Sequence, residues 1–245
     1  MKEYFALNGR VLYWTLLAPF KGRAFSVAEV FHQMVLIGVR ALPMAALTSF
    51  SIGLTLAMQA ANELRKMGVL SFVPDLVAVS LLRELGPLLI SVIVIGRSGS
   101  AVTAELGTMK VSEEIEALEV MAINPVRFLV VPRVLAMLVM LPVLTVFGDC
   151  VGMVGGWSIC HFALDLPTAT YIVRSMTHAH AWDLYSGLIK SLVFAWLIIT
   201  IACHMGLGVE GGAEGVGQST TQSVVWSLLI MLIANALLTA LFFFT

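Results

Sequence analysis

The sequence predicts an all-α membrane protein with five transmembrane helices, and three observations carry that prediction. Of 245 residues, 59% are hydrophobic and only 12% are charged, against about 25% charged residues in an ordinary soluble domain. Residues 224–244 run for 21 positions without a charge, and a helix needs about 20 mostly apolar residues to cross a bilayer. The same stretch lacks the polar stripe that a helix on the core of a soluble domain would carry.

Taken in order, the first candidate span covers 39–61, since 41–61 contains no charge. The second, 76–103, is interrupted by Arg83 and Glu84 and closes at Arg97. The third covers 134–157, the fourth 184–205, and the fifth is the charge-free run at 224–244. No internal repeat or linker divides the chain, so a single domain over 1–245 is expected, with 1–35 as an amphipathic interfacial helix region and 36–245 as the transmembrane bundle.

The first 35 residues hold seven aromatics, Tyr4, Phe5, Tyr13, Trp14, Phe20, Phe25 and Phe31, mixed with Lys and Arg. That mixture suits a helix lying among lipid headgroups, with rings at the interface and cations toward phosphate. The alternative is a helix packed on the bundle. The N-terminus has neither the apolar core nor the cleavage site of a signal peptide, so it is expected to be retained. Lys and Arg concentrate in cytoplasmic flanks. Lys2, Arg10, Lys21, Arg23, Arg97, Lys110, Arg127 and Arg133 would lie on one side, and Arg65, Lys66 and Arg174 on the other, with Arg83 deeper. The expected orientation is N-terminus in the cytoplasm and C-terminus outside.

Between spans two and three runs AELGTMKVSEEIEALEVMAINPVRFLVVPR. Ser112 is expected to cap a short helix, Glu113 and Glu114 suit its positive N-terminal end, and Asn124-Pro125 should stop it. On that helix Val111, Ile115, Leu118 and Ala122 would share one face while Glu113, Glu116 and Glu119 point elsewhere. The helix is either a docking surface for a cytoplasmic partner or a re-entrant turn that tidies the loop.

A net charge of −1 gives no general basic patch, so nucleic acid is not an expected partner. Cys150, Cys160 and Cys203 match neither a zinc pattern nor a disulfide framework and read as small buried hydrophobes. His178 and His180 lack further ligands for a metal. Gly206 to Gly211 matches G-x-G-x-x-G but follows a spanning helix rather than a strand, which makes it a turn. No Walker-type phosphate loop occurs, so any ATPase must be another chain. Ser98 and Ser100 have no elbow motif or base to make a nucleophile. Gly96, Ser100 and Ala104 form a small-xxx-small series that lets helices approach closely, either within the subunit or across a dimer.

Arg83 and Glu84 are adjacent charges in an apolar segment, where an unpaired charge costs at least about 2.5 kcal/mol. Either they line a transport cavity, with Arg83 meeting a lipid phosphate, or they form structural ion pairs across a dimer. Lys190, a cation in the fourth span, either joins them or snorkels to the outer interface. Asp149 places a carboxyl inside the third span, where it pairs with a cation, faces a cavity or stays protonated.

The runs LLRELGPLL at 81–89, GRSGSAVTAELGTMKVSEEIEALEVMAINP at 96–125 and VPR at 131–133 resemble the MlaE (YrbE-like) permease family. So do IKSLVFA at 189–195 and GAEGVGQSTTQSVV at 212–225. The resemblance implies the membrane subunit of an ABC transporter in the bacterial inner membrane, which moves phospholipid between inner and outer membranes and maintains outer-membrane lipid asymmetry. It implies a homodimer, two cytoplasmic ATPase subunits that bind ATP and Mg, a periplasmic ring of MCE-domain proteins and a small STAS-domain protein. The subunit itself would be non-catalytic and carry no cofactor.

By the same resemblance, Arg83, Glu84 and Lys190 lie on the lipid path or its polar contacts. The loop helix carrying Ser112, Glu113, Glu114, Ile115, Glu116, Leu118, Glu119 and Met121 would be the coupling helix that engages the ATPase. Two positions depart from the pattern: Gln218 stands where some members have Arg, and Asn235 where some have Asp. The main rival function is an ion-coupled secondary transporter of an amphipathic substrate that uses Asp149, Glu84 or Lys190 as a proton relay. An intramembrane enzyme and a purely structural anchor are further rivals.

Overall fold

Helices longer than the apolar cores of the sequence dominate the computed structural model, which describes residues 2–17 and 26–243. Five are long and apolar enough to cross a membrane: Val27–Lys66, Leu70–Val111, Val126–Phe162, Ala181–Leu207 and Gly212–Phe242, here the first to fifth spans. An N-terminal helix, Lys2–Leu12, precedes them, a loop helix, Glu114–Val120, joins spans two and three, and a hairpin helix, Thr168–His178, joins spans three and four. Among the described residues there is no strand. Phe20, Lys21, Arg23, Phe25 and Phe244 lie outside the described residues.

All five expected spans are present, and each begins earlier than expected, because hydropathy marks only the apolar centre while capping sets the ends. At the first span, the Glu29 backbone N–H donates to the Ser26 hydroxyl at 3.4 Å, an N-cap that starts the helix at Val27. Residues 27–35, assigned in sequence to the interfacial region, are therefore the first turns of a span. Asn124 is also reassigned. Its side-chain oxygen accepts from the Arg127 backbone N–H at 3.2 Å, so Asn124-Pro125 opens the third span rather than closing the loop helix.

The chain forms two compact units. The first comprises Met1–Ala41, Val92–Leu141 and Val193–Thr245, and the second Leu42–Ser91 and Pro142–Leu192. In the first unit, spans two, four and five pack closely around Thr103. Its hydroxyl lies 3.1 Å from the Ala202 carbonyl and 2.9 Å from the Ser223 hydroxyl. A Cβ on Gly206 would sit 2.8 Å from Leu106 and one on Gly107 2.8 Å from Val209, so small residues here set the helix separation. The series Gly96, Ser100 and Ala104 is not the one that sets this separation within the chain. A Cβ on Gly96 would meet nothing within 4 Å, and Ser100 and Ala104 are only half-buried. Packing within the chain uses the neighbouring stripe, Gly99, Thr103 and Gly107.

In the first unit, too, the N-terminal helix lays one face on the fourth span. Leu7 and Val11 are buried, the Tyr4 hydroxyl is 2.9 Å from that of Thr200, and the Tyr4 ring stands edge-on to His204. Phe5, Leu12 and Tyr13 remain exposed on the other face. The helix is thus packed on the bundle along one side only.

In the second unit, spans one and three come into backbone contact. A Cβ on Gly53 would lie 1.9 Å from the Gly152 carbonyl oxygen, and one on Gly155 2.2 Å from that of Phe50. The hairpin helix closes over this pair. Tyr171 donates to the Met153 carbonyl at 2.9 Å, and Trp157 donates to Thr168 at 3.2 Å. Arg174 donates to the Ser71 carbonyl and to Asp75, both at 2.9 Å, while its guanidinium stacks over Phe72. Of the cysteines, Cys160 and Cys203 are buried as expected, whereas Cys150 is exposed, pointing away from the packed face of the third span.

Candidate functional site

Within the second unit, Arg83 and Glu84 sit in a π turn, Leu81–Leu85, that interrupts the α-helical ladder of the second span. The residue four positions after Arg83 is Pro87, which has no N–H to give the Arg83 carbonyl its usual helical bond. The Arg83 carbonyl accepts instead from the Lys190 ammonium at 3.1 Å. That ammonium also pairs with the Glu84 carboxylate, and Arg83 pairs with Asp183. Asp183 and Lys190 are seven positions apart on the fourth span, two helical turns, which places them on one face. Gly187 lies between them, and a Cβ there would come within 2.2 Å of the Leu82 carbonyl. The absent side chain lets the two helices approach closely enough for the ion pairs to form.

The four charges cancel, and their burial is uneven. Asp183 and Lys190 are almost completely buried, at 1% exposure each. The Arg83 side chain keeps 52% of its surface open and that of Glu84 37%. Asp183 is further fixed by the start of its own helix, where its second oxygen accepts from the His180 backbone N–H at 2.9 Å. Lys190 does not snorkel, since its ammonium is held inside the unit. Both ion pairs form within one chain. Chemically, the cluster presents a half-open guanidinium anchored by a buried carboxylate, which can meet a phosphate.

Asp183 is the member that sequence reading missed. Its signal was the seven-residue spacing to Lys190, opposite an adjacent Arg-Glu pair. Asp149, in the same unit, is buried, and its Oδ1 has no hydrogen-bond partner among the described residues. It faces Gly86, where a Cβ would come within 1.8 Å of that oxygen. An apolar cavity of about 300 Å³, lined by Met153, Trp157, Tyr171, Ile172 and Met176 among others, opens beside the hairpin helix.

In the first unit, the loop helix is shorter than expected and differently capped. Ser112 is not its cap; the Ser112 hydroxyl donates back to the Thr108 carbonyl at 2.9 Å, finishing the second span. Glu113 makes the corner with φ 61°, and Ala122 ends the helix with φ 59°. These left-handed residues swing Val111 and Ala122 off the expected face, and both are exposed. Ile115 alone of that face is buried, and Leu118 is half-buried. Glu116 pairs with Lys110, and this bond holds its carboxyl below the usual carboxylate range. Glu113, Glu114 and Glu119 stay exposed, together with Val120 at 88% and Met121 at 61%.

Other candidates have structural tasks. Ser98 donates to the Ile37 carbonyl at 2.8 Å, and Ser100 to its own helix at Gly96. Arg97 and Arg133, counted in sequence with the cytoplasmic loop, belong to helices. Arg97 donates to the Leu36 carbonyl at 3.3 Å, and the buried Arg133 pairs with Glu105 at 2.9 Å. His178 lies 3.5 Å from Asp75, and His180 Nδ1 is 2.9 Å from the His178 carbonyl oxygen, so the two rings do not converge. Among the described residues, no group of three or more His, Cys, Asp or Glu comes together. In the glycine motif, Gly206 is packed against the second span, and Gly211 forms the turn with φ 88°. Gln218 is exposed and Asn235 half-buried.

The conserved-domain description "Permease MlaE" matches residues 30–241, which includes both the charged cluster and the loop helix. The chain belongs to the MlaE permease family. Among its relatives in the family, a probable ABC transporter permease protein of Rickettsia prowazekii is 38% identical over 87% of this chain and 83% of its own. Another of that name, from Synechocystis, is 37% identical over 98% of this chain and 89% of its own. Protein TRIGALACTOSYLDIACYLGLYCEROL 1, chloroplastic, of Arabidopsis thaliana is 36% identical over 86% of this chain and 61% of its own. As a family member the chain is an ABC transporter permease, a multi-pass helical membrane protein.

Proposed function

We propose that this permease is the non-catalytic membrane subunit of an ATP-driven lipid transporter, moving phospholipid between inner and outer membranes and so maintaining outer-membrane asymmetry. One observation carries the reading: a charge-balanced cluster inside a spanning bundle that leaves the Arg83 guanidinium half-open. A lipid is the substrate that has both a phosphate for such a group and chains for apolar surroundings. The Arabidopsis relative, named for a galactolipid, supports the substrate class.

On this reading two copies form a homodimer in the bacterial inner membrane, with N-termini cytoplasmic and C-termini periplasmic. The single domain rests on the bilayer through its N-terminal helix, whose exposed Phe5, Leu12 and Tyr13 suit a headgroup layer. Two cytoplasmic ATPase subunits, which bind the ATP and Mg, dock on the loop helix through Glu113, Glu114, Glu119, Val120 and Met121. A periplasmic MCE-domain ring receives or delivers the lipid, and a STAS-domain protein joins the ATPase. The test is transport of a labelled phospholipid between proteoliposomes and MCE-protein acceptors, with Arg83→Gln as the variant. Wild-type rates in that variant would remove the cluster from the lipid path.

A second reading, a proton-coupled transporter, draws on the buried Asp149. It requires transport driven by a pH gradient without ATP and abolished in Asp149→Asn. ATP-dependent transport that survives that substitution rules it out.

A further inference from the structure

The first unit holds a cavity of about 370 Å³ where the early turns of the first span meet the segment 97–105 of the second. Its lining includes Gln33, Leu36, Arg40, Arg97, Val102 and Glu105. Two of these are arginines. Arg97 uses one terminal nitrogen on the Leu36 carbonyl and the Ser98 hydroxyl, which leaves most of its five donors free. Arg40 is exposed and makes no hydrogen bond or ion pair among the described residues. The one carboxylate at the cavity, Glu105, is already neutralised by Arg133 at 2.9 Å. Gln33 is buried, and its amide is committed to Glu29 at 3.0 Å.

The cavity is therefore electropositive, and its cations lie on helices otherwise built to contact lipid, where an uncompensated charge is costly. Planar guanidinium groups match phosphate oxygens in geometry as well as charge. Leu36, Ile37, Ala101 and Val102 give the same cavity an apolar wall.

We propose that this cavity binds the phosphate of an anionic membrane lipid between Arg40 and Arg97, with the start of an acyl chain against the apolar wall of Leu36 and Val102. The site uses different residues from the Arg83 cluster and depends only on the spans lying in a bilayer, not on what the cluster transports.

Native mass spectrometry of the detergent-solubilised full chain decides it, with phosphatidic acid, diacylglycerol of the same chains and inorganic phosphate as probes. Phosphatidic acid is expected to be retained and diacylglycerol not. Arg40→Gln should weaken phosphatidic acid binding at least about tenfold, as for loss of one charge-assisted hydrogen bond. Arg40→Gln should have the same effect in an Arg83→Gln background, where the cluster no longer offers a guanidinium to the lipid. Because Arg40 is exposed, its substitution does not disturb packing, and it decides the matter even if Arg97→Gln fails to fold. The proposal is overturned if Arg40→Gln binds like wild type, if diacylglycerol binds equally, or if Arg83→Gln alone removes the lipid. Inorganic phosphate binding as tightly as phosphatidic acid would overturn the lipid assignment in favour of a free anion. Failure of transport in the Arg83 variants would leave this site standing.

Discussion

Lys190 reaches across from the fourth span to pair with Glu84 and to cap the Arg83 carbonyl at 3.1 Å, so one buried ammonium satisfies both a charge and a backbone group that Pro87, with no N–H, does not serve. Removing it takes this partner from both. Lys190→Met is expected to destabilise the protein by about 2 kcal/mol, less than the roughly 3–5 kcal/mol of a fully buried pair, because Glu84 is partly open. Adding Glu84→Gln should restore part of that loss. Unfolding of the single and double variants in detergent, compared as a cycle, measures the coupling; simple additivity would mean the pair contributes nothing.

Two glycines should respond oppositely to the same substitution. Gly187→Ala puts a methyl 2.2 Å from the Leu82 carbonyl, and relief of that clash separates the helices at an expected cost of about 1–3 kcal/mol. Gly96→Ala meets nothing within 4 Å and should be neutral or stabilising by up to about 1 kcal/mol through helix propensity. Thermal unfolding of the isolated chain reports both. A large loss in Gly96→Ala that appears only in the assembled transporter would instead place that stripe at a subunit contact.

The exposed acidic and apolar residues of the loop helix should govern ATPase association. Reversing Glu113, Glu114 and Glu119 to Lys, or replacing Val120 with Asp, is expected to abolish co-purification with the ATPase while leaving the helical spectrum unchanged, since none of the four side chains is packed. Undiminished co-purification would assign the docking surface elsewhere.

The order of the loop helix should depend on pH in one direction. Lys110 holds the Glu116 carboxyl below its ordinary range, so the folded state binds the proton more weakly than the unfolded chain. The bond's contribution is then fully present above the ordinary carboxylate range and is lost as pH falls through the lowered value. Amide hydrogen exchange at Ala117 and Leu118 should accelerate at acid pH once corrected for intrinsic rates, and Glu116→Gln should remove that step.

Sequence alone determined the solvent of this protein and the number of its spans. Long charge-free runs such as 224–244 can be satisfied only by helices in lipid, and that conclusion depends on composition and length, not on neighbours. It also marked Arg83, Glu84 and Lys190 as needing a reason, because charge within an apolar run is costly wherever it folds. Helix ends were less legible, since Ser26, Asn124 and Ser112 are all capping residues, and only the backbone on either side decides which helix each one serves. Tertiary structure supplied Asp183 as the partner of Arg83 and directed Lys190 inward. It also put Gly99, Thr103 and Gly107, rather than Gly96, Ser100 and Ala104, into the contact between helices. Those outcomes turn on which residue of another helix lies within a few ångströms, and helical periodicity gives the direction of a side chain around its own axis but not what waits there.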